Sequence, residues 1–410
     1  MTRQSRRSFL KRSTLATAGT MLVPGLLKAL QVNQAAAVPA HNRKLVIVQL
    51  SGGNDGLNTI VPYRNDIYYR ERPDLAIPPD KVLRINDEIG FNPSLAPLRD
   101  LFDNGLMTII NNVGYPNPDR SHFCSLDIWH TAGDADSHVS TGWIGRYLDA
   151  HCSPDCFTSS SLALELDDTL SLAMKGVKVK GMAVLHPHRF HQQAHRPYFE
   201  QVSAHPRALP IPDHASYLYK TLAETISSAD AIYAAWESSD SSQETKRNIY
   251  PASEFGKRLK TIAELILSDI QTQVYYISLS GFDTHVNQLE QQNRLLTTYA
   301  EAMRAFTNEL EENNLLDDVM IMTFSEFGRQ VKQNTSQGTD HGTANNLFLM
   351  NGRLKKGRIF NEAPDLVDLD EGDLKHTIDF RSIYATLLRQ WLKVDDTAIL
   401  GRKFDTLGFV

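Results

Sequence analysis

The chain has 410 residues, a formal charge of −6 at pH 7 and a mean hydropathy of −0.32. Residues 1–37 hold six basic residues and no acid, so the other 373 residues carry −12, which argues against nucleic acid or anionic lipid as a partner. No stretch after the N-terminus is apolar for the ~20 residues of a membrane span, and three cysteines without a CxxC pair argue against a zinc ribbon or thioredoxin-like centre.

Ser5-Arg-Arg-Ser-Phe-Leu-Lys11 sets paired arginines before a mildly apolar run, Thr14 to Leu30, and Ala35–Ala37 offers a small-residue cleavage site. That layout is a twin-arginine export signal over residues 1–37. The expected mature chain, 38–410, is then periplasmic or secreted and meets the twin-arginine translocase during export. Its length suits one large α/β domain carrying an insertion.

Lys44–Leu50 reads as a first buried strand, a short continuous apolar run. It enters Ser51-Gly-Gly-Asn-Asp-Gly56, where glycines allow a sharp turn and put Asn54 and Asp55 just past a strand end. The G-x-G-x-x-G and P-loop spacings are absent, so a dinucleotide or nucleotide phosphate loop is not expected. A helix over 93–104 and a strand over 107–111 follow, and the strand–helix–strand order predicts a parallel sheet.

Asp119 is expected to cap a helix whose first turn holds Ser121 and His122. Free N–H groups and a partial positive charge at such a terminus favour an alkoxide or a bound anion, which makes Ser121 a candidate nucleophile and Arg120 a candidate anion clamp. The alternative is that Ser121 only caps its helix.

Between Ser153 and Pro251 the pattern weakens, apart from a helix near Ala215–Trp236, and the region reads as an insertion or cap. Cys152 and Cys156 lie at its start, as a small disulfide or as two loop thiols. His191 and His195 share a helix face at i, i+4. Without a carboxylate nearby in sequence they read as a polar surface patch.

Gln273–Ser280 is the next buried strand and ends in Gly281-Phe-Asp-Thr-His285, where Asp283 and His285 can point at one ion. A long amphipathic helix runs from Asn287 to about Glu312. The apolar run from Met320 then stops at Ser325, Glu326 and Arg329, and a polar loop carries Asp340 and His341 before a second apolar run, Leu347–Met350. A last helix spans Asp379–Leu392. In open α/β sheets chemistry collects at carboxyl ends of strands, where carboxylates and imidazoles suit a divalent ion.

Ser51-Gly-Gly-Asn-Asp-Gly56, Arg120-Ser-His-Phe123, Gly281-Phe-Asp-Thr-His285, Ser325-Glu-Phe-Gly-Arg329 and Thr339-Asp-His-Gly342, with the twin-arginine leader, resemble a widespread family of exported bacterial proteins of undefined function. That family is allied to the alkaline phosphatase and sulfatase superfamily. The resemblance implies a three-layer, mostly parallel central sheet with helices on both faces, and a site for one or two divalent ions (zinc, manganese, calcium or magnesium). It implies Asp55, Asp283, His285, Glu326 and His341 as ligands and Ser121 as nucleophile; in the mechanism expected for such a site Arg120 or Arg329 steadies the equatorial charge. Phe327 stands where the superfamily's later acidic–His pair has its histidine, and Asp340 is the candidate substitute. Asp283 and His285 are closer together than the superfamily's pair. Cys124 lacks the Cys-x-Pro-x-Arg context of a formylglycine sulfatase. The expected activity is hydrolysis of a small-molecule or polymeric phosphate or related ester; the alternative is a secreted, non-catalytic binding or assembly protein on the same fold.

Overall fold

The computed structural model describes residues 43–151, 162–197, 199, 213–241, 250–355 and 358–410. The export signal and Cys152–Cys156 lie outside the described residues. Residues 41–185 and 239–410 form one compact unit and residues 186–238 belong to another.

Among the described residues nine strands make the main sheet: β1 Lys44–Ser51, β2 Met107–Gly114, β3 Ala163–Glu165, β4 Met182–Ala183, β5 Val274–Ser280, β6 Val319–Phe324, β7 Asn345–Met350, β8 Arg358–Ile359 and β9 Ile378–Asp379. Their order is β8-β2-β7-β6-β1-β5-β3-β4, with β9 also pairing β2. The central trio is parallel and in close register, with Gln49 opposite both Phe324 and Ser278. Within this sheet only β7 runs antiparallel among the described strands, pairing β2 and β6. Its direction follows from its connection: the 325–344 loop leaves the carboxyl end of β6 and returns beside it, so no crossover is made. The sheet is thus mostly parallel, as expected.

Burial of β1 on both sides explains its near-continuous apolar sequence. On one face Leu45, Ile47, Met320 and Met322 pack with Trp129, Ile144, Phe380 and Tyr384. These come from helices α1 (His122–Thr131), α2 (Trp143–His151) and, after the sheet, Phe380–Thr386. Trp129 stacks on Phe324 and Phe380 with ring centroids 4.7 and 4.2 Å away, contacts worth about 0.5–1.5 kcal/mol each beyond area burial. On the other face Tyr299, from the helix Gln288–Glu312, donates its hydroxyl to Thr323 Oγ1 at 2.9 Å. Helices therefore cover both faces.

One boundary differs from expectation. The short strands β3 and β4 lie within 153–251, yet they extend the main sheet from β5. Strands of three and two residues are too brief to show a period, so the sequence pattern merged them with the insertion.

Candidate functional site

The parallel direction of β1, β5 and β6 sends three loops out at the same carboxyl edge, and β2, parallel to them through β7, adds a fourth. Gly52 begins the first loop at φ +117°, a conformation that L side chains rarely adopt, and an added Cβ would strike the backbone of Phe282 and Asp283. Glycine there lets the β1 and β5 loops touch. The Gly52 N–H is thereby free to donate to Glu326 Oε1 at 2.8 Å.

Arg329 fastens these loops together. Its buried guanidinium donates to the carbonyls of Gly53 (2.6 Å), Thr339 (2.9 Å), Phe282 (2.9 Å) and Gly52, and to Asp283 Oδ1 at 2.8 Å. Buried and engaged by five protein acceptors, the guanidinium fastens loops instead of serving as the expected anion clamp.

Helix α1 presents His122, Ser125 and Trp129 at i, i+3 and i+7, one face, to Glu326. Ser125 Oγ and Trp129 Nε1 both donate to the Glu326 carbonyl, at 2.7 and 2.8 Å, while His122 Nδ1 lies 2.8 Å from Glu326 Oε1. The helix begins two residues later than expected. Ser121 is its N-cap, its side chain makes no capping bond, and Asp119 Oδ1 accepts the Ser121 N–H at 2.6 Å.

Four groups converge on one atom, Asp283 Oδ1: Arg329 Nη2 (2.8 Å), His285 Nδ1 (3.0 Å), His341 Nε2 (3.1 Å) and His122 Nε2 (3.4 Å). His122, Asp283 and His341 offer ligand atoms within 4.8 Å of one another. The partners assign the tautomers. Glu326 and the Arg120 carbonyl, 2.7 Å from His341 Nδ1, can only accept, so both imidazoles carry hydrogen on Nδ1. In the neutral rings both Nε2 lone pairs then face a carboxylate oxygen, an arrangement that calls for a cation or a proton among them. Among the described residues His122 Nε2 is buried without a hydrogen-bond partner. Imidazole nitrogens with their other nitrogen fixed by a carboxylate or carbonyl are the usual metal-ligand arrangement.

Electrostatics agree with this layout. Burial pulls the Asp283 pKa up, but hydrogen bonds from Arg329 and His341 and the charges of Arg329 and His285 hold it well below the usual carboxylate range. The Glu326 hydrogen bond, with the charges of Glu326 and Asp283, raises His122 above its ordinary value against burial. Burial and then the Arg329 charge lower His285.

Several expected ligands stand elsewhere. Asp55 is fully buried and saturated: Oδ2 takes Arg72 Nη1 and Gln288 Nε2, both at 2.5 Å, and Oδ1 takes the N–H groups of Leu57 and Asn58 at 3.2 and 3.4 Å. It is a structural ion pair, not a ligand. Glu326 orients His122 rather than joining the convergent set. Asp340 is exposed and meets Asn334 Nδ2 at 3.2 Å, so it does not replace the absent histidine. Phe327 instead packs its ring 4.8 Å from both His122 and His341. Arg120 pairs with Asp373 Oδ2 at 2.7 Å and supplies the site with a carbonyl, not a guanidinium. His122 joins the convergent set although its sequence marks it only as a first-turn helix residue beside Ser121.

The chain belongs to the family described as "Protein of unknown function (DUF1501)", whose model matches residues 112–405. No curated protein sequence matches it. Among solved structures it is similar to the lipoteichoic acid synthase LtaP from Listeria monocytogenes (10% identity, 95% of this chain and 80% of that one, TM-score 0.37). It is also similar to a protein in the alkaline phosphatase superfamily from Vibrio parahaemolyticus (9%, 88% and 69%, 0.38) and to the PsFucS1 sulfatase from Pseudoalteromonas sp. (10%, 97% and 74%, 0.39). Among the described residues no helix is long and apolar enough to cross a membrane.

Proposed function

We propose that this chain is an exported, metal-dependent hydrolase of phosphate or related esters. The observation that carries the reading is the convergence of two Nδ1-protonated imidazoles, His122 and His341, on Asp283 Oδ1. Two imidazoles and one carboxylate favour zinc over calcium or magnesium, and three protein ligands suit one catalytic ion with an open position.

The bound ion would polarise the ester oxygen and lower the pKa of a hydroxyl or water. The chain's own residues do the rest. Glu326 and the Arg120 carbonyl keep protons at His122 Nδ1 and His341 Nδ1. Arg329 locks the Asp283 loop. With neutral imidazoles, Asp283 and Glu326 against Arg329 leave one net negative charge, which a divalent ion turns into one net positive charge fit for an anionic ester. Ser121, uncapped at the N-terminus of α1, supplies the candidate nucleophilic hydroxyl. His285, its pKa lowered and its ring against His341, is positioned to carry a proton.

A specific observation favours the second reading, a binding protein on the same fold: both Arg120 and Arg329 are engaged by the protein itself. A panel of phosphomonoesters, phosphodiesters and sulfate esters, run on zinc- and manganese-loaded wild type and Ser121→Ala, tests between them. Turnover lost on chelation supports the hydrolase. Stoichiometric metal with no turnover of any ester overturns it in favour of the binding protein.

A further inference from the structure

We propose a second transition-metal site, formed by His191, His195 and Asp230 within residues 186–238. His191 lies in the helix Pro187–Ala194 and His195 is its C-cap, so the two rings fall on one face with centroids 4.5 Å apart. Asp230 comes from the helix Asp213–Ser241. His195 Nε2 is 2.6 Å and His191 Nε2 3.3 Å from the same atom, Asp230 Oδ1. The three ligand atoms lie within 4.8 Å of one another. The carboxylate that the local sequence lacks is thus supplied from 35 residues along the chain.

The donor chemistry identifies the ligand. Both imidazoles offer the same nitrogen, Nε2, and a first-row ion at ~2.0–2.2 Å from each donor sets neighbouring donors roughly 3–3.5 Å apart. The His191–Asp230 separation already has that value, and the His195–Asp230 pair needs to open by less than 1 Å, ~0.4–0.9 Å. Two nitrogens to one oxygen select zinc, copper, nickel or cobalt over magnesium or calcium. The side chains are 31%, 34% and 51% exposed, so the ion exchanges with solvent and water completes its shell.

The site also answers a structural need. A helix of eight residues is marginal alone, and Pro187–Ala194 carries little apolar surface beyond Phe190 and Ala194. Contacts that hold it to the longer helix include the two imidazole–Asp230 pairs and the rings on Tyr233, with His191 stacked at 4.4 Å and 21°. A metal there would staple the two helices.

The test is zinc titration, by calorimetry, of the chelator-stripped full-length chain, comparing wild type, His195→Gln, Asp230→Asn, Asp283→Ala and the Asp283→Ala/His195→Gln double variant. Far-UV circular dichroism on each keeps folding in view. The expected result is one equivalent bound by Asp283→Ala, lost in the double variant and unaffected by excess magnesium. Cobalt should give a visible ligand-field band that Asp230→Asn removes. Undiminished zinc uptake in both His195→Gln and Asp230→Asn overturns the proposal, and so does a folded Asp283→Ala chain that takes up no zinc. If the strand-end site alone fails, wild type and Asp283→Ala bind equally while the His195→Gln loss remains, so the two failures are distinct.

Discussion

Glu326 holds His122: its Oε1 accepts the Nδ1–H of His122 at 2.8 Å, and its carbonyl accepts from two further residues on the same helix face. One residue just past the end of β6 therefore fixes both the tautomer of a candidate ligand and the seat of the helix that carries it. Glu326→Gln keeps the shape but presents an amide that can turn its NH2 toward Nδ1. We expect metal affinity to fall roughly 10–100-fold with little loss of helix content, measured by calorimetric titration and circular dichroism. Unchanged affinity would show that this contact is only structural.

Asp55 and Asp283 should separate cleanly. Arg72→Ala leaves Asp55 as a buried, unpaired charge, and breaking such a pair costs about 3–5 kcal/mol. Thermal unfolding of Arg72→Ala should drop sharply while the folded fraction still binds metal at wild-type stoichiometry. Asp283→Ala should do the reverse, since Asp283 is half exposed. Metal loss in folded Arg72→Ala would return Asp55 to the ligand set.

Gly52 sits where β1 and β5 loops meet. Gly52→Ala demands a left-handed residue whose Cβ meets the Asp283 backbone, so the loops must part. We expect a stability loss of about 1–3 kcal/mol from the strained backbone and a larger proportional loss of metal affinity. Chemical denaturation beside metal titration reads both. Wild-type metal affinity in a destabilised Gly52→Ala chain would mean that the loop contact does not position Asp283.

Metal binding and apo stability should depend on pH with opposite signs. The folded-state pKa of His122 is raised, chiefly by its Glu326 hydrogen bond. In the metal-free protein its contribution is complete below the unfolded value of about 6.5 and is lost as pH rises through the folded value. A metal needs Nε2 bare, so affinity should be full above the folded pKa and fall as pH drops through it, by ~10-fold per pH unit for one displaced proton. Zinc titrations between about pH 8 and about pH 5.5 test this; a flat affinity would exclude His122 as a ligand.

Much of the framework was legible because its signals are local. Continuous apolar runs marked β1, β5 and β6, and the polar residues after each run marked the loops. The antiparallel direction of Leu347–Met350 was not legible, since an apolar run has no polarity. Asp55 and Asp283 look alike in sequence, each within two residues of a glycine past a strand. Their fates differ through Arg72 and Gln288 in one case, Arg329 and His341 in the other, partners that only tertiary packing brings close. Asp230 escaped notice for the same reason. His122 was visible but ambiguous, because the first turn of a helix accommodates a histidine without any ligand.

The most direct measurement is metal content of the folded, full-length chain by inductively coupled plasma mass spectrometry, wild type beside Asp283→Ala. Asp283→Ala should hold one equivalent of zinc or manganese fewer than wild type, at equal helix content. Equal metal content in the two folded proteins, or none in either, would contradict it and leave His122, Asp283 and His341 as a hydrogen-bonded cluster without an ion.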